Sequence, residues 1–214
     1  MKTILCYGDS NTWGYTPGTG AKIPFERKWP GVMQALLGPR ARVIDEGLNG
    51  RTTVFDDPFW EGRNGKEFLF VLLQSHAPID VVVIFLGVND LKHIFHASAA
   101  DIAKGLATLI QIIKGSYCGP NGKTPHIVVM CPPPLTKLTD YFELEFMDGK
   151  EKSFELPRHM EKTARDWGCH YFDTPSIAAA SNDDGVHLDE ENHRKIGGKM
   201  AALVGGLLDD QPAA

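Results

Sequence analysis

Apolar residues fall along this chain in short unbroken runs, separated by longer stretches with helical spacing. The runs are Thr3–Gly8, Arg42–Glu46, Asp80–Gly87 and His126–Cys131. In the third, Asp-Val-Val-Val-Ile-Phe-Leu-Gly, the apolar positions are continuous and mostly β-branched. β-Branched side chains suit extended backbone, and continuity implies burial on both faces, as in a central parallel strand. Cys169–Asp173 reads as a fifth, weaker strand. Between the runs, Trp29–Leu37 places Trp29, Val32, Met33, Leu36 and Leu37 on one helical face. Ala99–Lys114 repeats Ile102, Leu106, Leu109, Ile110 and Ile113 at the same spacing. Glu67–His76, Ser153–Trp167 and Asn192–Leu208 complete the predicted helices. Strands alternating with helices predict βαβ units and a parallel sheet covered on both faces.

One segment breaks the alternation. Pro132–Lys152 opens with Pro132, Pro133 and Pro134 and continues through Tyr141, Phe142, Leu144, Phe146 and Met147. It follows the fourth strand, so it is expected at the carboxyl edge of the sheet, where open α/β sheets hold their sites. It is long for a connection and rich in apolar residues, so it is expected to pack against something, a second copy of the chain being one candidate. Asp209–Ala214 reads as a frayed tail. No repeat or linker divides the 214 residues, which are expected to form one domain over 1–214.

Composition narrows the function classes. Lys plus Arg is 22 and Asp plus Glu is 27, a net charge of −5 without a basic tract. That is not the footprint of a nucleic-acid binder. No apolar run approaches the length of a membrane span, and the amino terminus lacks a signal-peptide core. The four cysteines, Cys6, Cys118, Cys131 and Cys169, form no C-x-x-C pair and read as plain thiols of a cytoplasmic protein.

Four loops carry candidate chemistry. Gly8-Asp9-Ser10-Asn11 follows the first strand, so Ser10 emerges at its carboxyl end with its amide directed at the crevice, if a helix starts there. Taken alone, it reads more readily as an ordinary βα turn with Ser10 as its cap. Gly47-Leu48-Asn49-Gly50 follows the second strand, and Gly50 could present a bare backbone N–H. Gly87-Val88-Asn89-Asp90 ends the third, and Asn89 offers a side-chain donor to an anionic oxygen. Asp184-Gly185-Val186-His187 precedes the last helix. A serine needs an adjacent base, and His187 is suited to it. Asp184 could orient that histidine, and by spacing alone Asp183 competes for the role. Three of these loops share one edge of a parallel sheet and the fourth adds an acid and a base, the set that acyl transfer requires.

With these blocks in this order, the sequence resembles the SGNH (GDSL-type) hydrolases. The stretches ILCYGDSNTWGY, EGLNGRTT, LGVNDLK and CPPPL are similar to a narrower group of small intracellular arylesterases with acyltransferase and perhydrolase activity. The resemblance implies a flavodoxin-like three-layer α/β/α sandwich with five parallel strands. It implies Ser10 as nucleophile, His187 as base and Asp184 as its orienting acid. The Ser10 and Gly50 amides and the Asn89 side chain would form the oxyanion hole. The implied activity is hydrolysis of short-chain aryl or alkyl esters, with transfer to alcohols or peroxide, by an oligomer that needs no cofactor. Asn11 departs from the aliphatic residue usual after the serine, and Val88 from a small polar one. With Trp13, Lys92, Phe95, Phe142, Phe146 and Val186 they are the candidate substrate-binding positions.

Rival readings attach to several residues. Trp13, Tyr15, Phe95, Phe142 and Phe146 suit an apolar entrance or, equally, the core. Asp9 reads as a structural acceptor beside the serine turn. His193 is expected to face solvent or cap its helix. His93 and His96 lack a third ligand at metal spacing, so no metal is expected. A carbohydrate acetylesterase would use the same residues. A non-catalytic flavodoxin-like module would fit the strands, but GDSNTWG is not a phosphate cradle, and a receiver-like use of Asp9, Asp90 and Lys137 leaves Asp184 and His187 unexplained.

Overall fold

The computed structural model describes residues 1–209. Five strands, β1 (Lys2–Gly8), β2 (Ala41–Gly47), β3 (Val81–Phe85), β4 (His126–Cys131) and β5 (His170–Asp173), form one parallel sheet in the order β2-β1-β3-β4-β5. The helices are α1 (Ser10–Trp13), α2 (Trp29–Leu37), α3 (Gly65–His76), α4 (Ala99–Ser116), α5 (Asp140–Phe146), α6 (Gly149–Ser153), α7 (Leu156–Asp166) and α8 (Glu190–Asp209).

The continuous apolar runs resolve into two faces, because successive side chains point to opposite sides of a strand. Leu5, Tyr7, Val82 and Ile84 face a core shared with Leu69 and Leu73 of α3, Leu106 and Ile110 of α4, and Met160 of α7. Ile4, Cys6, Val81, Val83 and Phe85 face the other core, with Trp29 and Met33 of α2 and Ile196, Met200 and Val204 of α8. These faces make the expected three-layer sandwich.

Element ends follow local chemistry. The strand expected over Asp80–Gly87 is the shorter β3, because Asp80 turns its carboxylate to the Thr3 amide (2.8 Å) and Gly87 has left extended backbone at φ 122°. Helix α3 starts two residues earlier than expected, at a cap formed by Asn64, whose side chain accepts from Lys66 N. Ser98 and Asp101 close a capping box on α4. The Pro132–Lys152 segment contains two short helices, α5 and the start of α6. Of the expected tail, Asp209 ends α8 and pairs with Arg40 at 3.0 Å; residues 210–214 lie outside the described residues. Among the described residues no helix is long and apolar enough to cross a membrane.

The register sets the site. Gly8 lies beside Gly47 and Phe85, so β1, β2 and β3 end level. Helix α1 crosses those ends closely: a Cβ on Gly47 would lie 2.2 Å from the Trp13 backbone nitrogen. Only glycine allows that approach.

Candidate active site

Ser10 is the first residue of α1. The Asp9 carboxylate caps the turn by accepting from Asn11 N at 2.9 Å, the structural role expected of it. The Ser10 hydroxyl thus projects from the end of β1 into the loop ahead of α8. There His187 Nε2 lies 2.9 Å from Ser10 Oγ, and His187 Nδ1 lies 2.8 Å from Asp184 Oδ2. The second Asp184 oxygen accepts from Val186 N and His187 N, each at 2.9 Å. Asp184, not Asp183, therefore meets the histidine. The chain is tied across the gap by Leu188 N, which donates to Asn11 Oδ1 at 2.9 Å.

Burial raises the Asp184 carboxyl, but its contacts with His187 and Val186 outweigh that, and it stays below the usual carboxylate value. At neutral pH it is an anion held against the imidazole. The Tyr15 ring stacks on the His187 ring at 4.0 Å, and Phe142 lies 5.8 Å away.

Opposite the histidine lie the two loops with candidate donors. Gly50 has φ +77°, the left-handed region, and a Cβ there would lie 3.0 Å from the Trp60 ring. Asn89 Nδ2 donates to Arg51 O at 3.1 Å, which leaves its second N–H for another acceptor. Arg51 is buried, donates to Gly8 O (2.8 Å) and Glu46 O, and lies over the Tyr7 ring. Asp90 is buried and accepts from the Thr53 amide and hydroxyl. Asp90 and Arg51 thereby join the Gly50 loop to the Asn89 loop and to the end of β1.

Ser10, Gly50, Asn89 and His187 share a pocket of about 150 Å³ with Tyr15, Lys92, Phe142, Phe146 and Val186. Four further lining residues escaped sequence reasoning: Asn49, Trp60, Tyr141 and Glu145. Tyr141 and Glu145 carry a readable signal, the i, i+4 spacing of one helix face. Trp60 sits in a loop without periodicity.

Other candidates lie elsewhere. Asn11 is fully buried and serves Leu188 rather than the pocket. Trp13 packs beneath the Lys22 ammonium at 4.7 Å. Val88 is buried in the α3–α4 core, and Phe95 packs on Phe55 at 5.6 Å. His193 does not face solvent. It is fully buried because the first turn of α8 packs on α2, where its Nδ1 accepts from Trp29 N at 3.3 Å. Burial lowers it to about 3, so it is neutral. His93 and His96 touch edge to face, and among the described residues no group of three or more His, Cys, Asp or Glu could hold a metal ion.

Burial raises Asp9 from 3.8 to about 7 and Asp90 from 3.8 to about 6. Both folded values exceed the unfolded one, so the folded state holds these protons more tightly. Their stabilisation is full below about pH 4 and is lost as pH rises toward 7. Urea midpoints are expected to fall between pH 5 and 8. In Asp9→Asn, whose Oδ1 still accepts from Asn11, the fall should be shallower; an unchanged slope would contradict the assignment.

A serine, a histidine and an aspartate hydrogen-bonded in series at the carboxyl edge of a parallel α/β/α sheet have the form of an SGNH hydrolase. The chain belongs to the GDSL-like lipase/acylhydrolase family, whose model matches residues 6–195. It is similar to the M. smegmatis aryl esterase, with 37% identity and a TM-score of 0.92 over 97% of this chain and 100% of that one. It is also similar to two solved structures from Sinorhizobium meliloti. One is a carbohydrate acetylesterase, with 36% identity and a TM-score of 0.93 over 97% of this chain and 100% of that one. The other is a carbohydrate acetylesterase family member, with 40% identity and a TM-score of 0.92 over 98% and 100%. No curated protein sequence matches the chain. The protein is a carboxylic ester hydrolase.

Proposed function

We propose that the protein hydrolyses short-chain aryl or alkyl esters through an acyl-enzyme on Ser10. The observation that carries this reading is the unbroken series from Ser10 Oγ through His187 to Asp184, at 2.9 and 2.8 Å. His187 Nε2 takes the hydroxyl proton as Oγ bonds to the ester carbon, and the carbonyl electrons move to oxygen. The Ser10 and Gly50 amides and the free Asn89 N–H hold that oxyanion. Collapse expels the alcohol, which takes the proton from His187. Water then gives a proton to the same nitrogen as it attacks the acyl carbon, and Ser10 leaves with that proton. Asp184 holds the imidazole in the required tautomer throughout.

A pocket near 150 Å³ supports small substrates, since a cavity of about that size accommodates benzene. Turnover of p-nitrophenyl acetate is expected. Asn89→Ala should lower kcat by about 10²–10³-fold with little change in KM, because its donor meets charge that develops only in the transition state. A loss confined to KM would remove Asn89 from that role.

A second reading, removal of acetyl groups from sugars, is favoured by the two acetylesterase structures. A paired screen on aryl acetates and acetylated xylose separates the two, and faster turnover on aryl acetates is expected. Acyl transfer belongs to the same proposal: with added alcohol, the new ester should exceed the share set by bulk concentrations. A product ratio that follows bulk concentration alone would leave hydrolysis only.

A further inference from the structure

A second chamber of about 360 Å³ adjoins the catalytic pocket. The two share Trp60, Lys92, Tyr141 and Glu145, which therefore form the wall between them. Beyond that wall the chamber is lined by the exposed apolar side chains of Phe59, Ile94 and Leu144 and, beside them, by Asp57 and His93. The wall itself is held by polar contacts. Lys92 Nζ lies 3.1 Å from Glu145 Oε2, and Tyr141 Oη donates to Glu145 Oε1 at 2.6 Å. The same ammonium lies 5.7 Å from the Trp60 ring centroid, and the Lys92 side chain is only 12% exposed. Little solvent reaches this lysine, and the Trp60 ring and the Glu145 carboxylate hold it where the two chambers meet.

We propose that Lys92, Glu145 and Tyr141 form a latch that determines which esters the site accepts, by closing the catalytic pocket off from an apolar chamber able to hold a longer substrate arm. This rests on the esterase reading of the pocket. The occupant is the apolar arm of the ester itself. The chamber borders the reaction site along the shared residues, and Phe59, Ile94 and Leu144 offer the arm apolar surface there. With the latch closed, only a small ester fits in the 150 Å³ pocket. With it open, each further methylene passes into apolar surroundings and favours binding. Glu145 is the pivot, because both the ammonium and the phenol are held by its two oxygens. Its hydrogen bond to Tyr141 also raises that phenol to about 12, which gives the latch a spectroscopic mark.

The test compares Glu145→Gln, which keeps an acceptor for Tyr141 but removes the charge, with Lys92→Met. Two readouts are taken. One is the ratio of kcat/KM for p-nitrophenyl octanoate to that for the acetate. The other is binding of 1-octanol, followed by tryptophan fluorescence, which needs no turnover. Both variants are expected to raise the ratio and tighten octanol binding by about tenfold, the worth of one or two buried methylenes. Adding Leu144→Glu should abolish both gains. If the wild type turns over esters but neither readout moves in either variant, the latch is overturned. If octanol binding tightens but no ester is turned over even by the wild type, control of access to the chamber by these residues stands, while the esterase reading falls and the selection among esters falls with it. A gain that appears only at protein concentrations where sedimentation shows a larger species would also overturn it, because a second copy would then be the occupant.

Discussion

Replacing Ser10 with alanine is expected to lower kcat on p-nitrophenyl acetate by about 10⁶-fold. The size of the loss follows from the geometry. Ser10 Oγ and His187 Nε2 lie 2.9 Å apart and act as one unit, so without the hydroxyl the imidazole has nothing to activate except water. The donors of the Gly50 and Asn89 loops remain, and they should leave a residue of about 10³–10⁴-fold over the uncatalysed rate. Stability should hardly change, because among the described residues the Ser10 hydroxyl is hydrogen-bonded to His187 alone while Asp9 goes on capping α1. The check is a burst-and-turnover assay on wild type and Ser10→Ala at matched folded fraction. Equal burst amplitude and equal turnover in the two would remove Ser10 from the reaction.

Asp184→Asn is expected to cost about 10⁴-fold in kcat. An asparagine keeps an oxygen for Val186 N and His187 N, so the turn before α8 should persist. The group facing His187 Nδ1 then changes from an anion to an amide, which favours the wrong tautomer and no longer stabilises the imidazolium. The carboxyl of Asp184 titrates below its usual value, so its stabilisation is full above the unfolded pKa and is lost as pH falls through the lowered one. The variant should therefore be less stable than wild type by about 1–2 kcal/mol at neutral pH, and the gap should close in acid. Thermal melts at pH 7 and pH 3, run beside the kinetic assay, check both parts. In an Asp184→Asn, His187→Ala double variant the loss should be close to that of His187→Ala alone, because the aspartate acts through the histidine. Additive losses would show that the two residues act separately.

The fold was legible wherever burial is a local matter. A short, β-branched apolar run such as the one in Asp80–Gly87 reads as a covered strand, and the sheet holds its Val81–Phe85 part as β3. Helix α5 was hidden because its apolar residues are aromatic and follow three prolines, so Tyr141–Glu145 and Phe142–Phe146 did not stand out as helical pairs. The acid, base and nucleophile could be read because each lies in a compact loop next to a strong element. The residues that shape the pocket could not. Trp60 is placed by a loop whose base is pinned between Thr52 and Asn64 and whose turn is capped by Asp57, contacts that leave no periodic trace. The burial of His193 leaves no local trace for the same reason, since its partner Trp29 lies 164 positions away in the chain. Asn11 and Val88 stand out in the sequence as departures from the residues usual beside the nucleophile and the Asn89 donor, which points to the pocket. Neighbours on a turn point in different directions, and these two point into the protein.

The central claim is that Ser10 is a nucleophile made reactive by His187. It is tested most directly by exposing the folded protein to a small fluorophosphonate and reading the intact mass, followed by peptide mapping. Attack by Ser10 Oγ on phosphorus would expel fluoride and leave one phosphonyl group on the protein. The account predicts a single adduct on Ser10, with none in Ser10→Ala and slow labelling in His187→Ala. No adduct on the wild type, or one that persists at equal rate in Ser10→Ala, would contradict it.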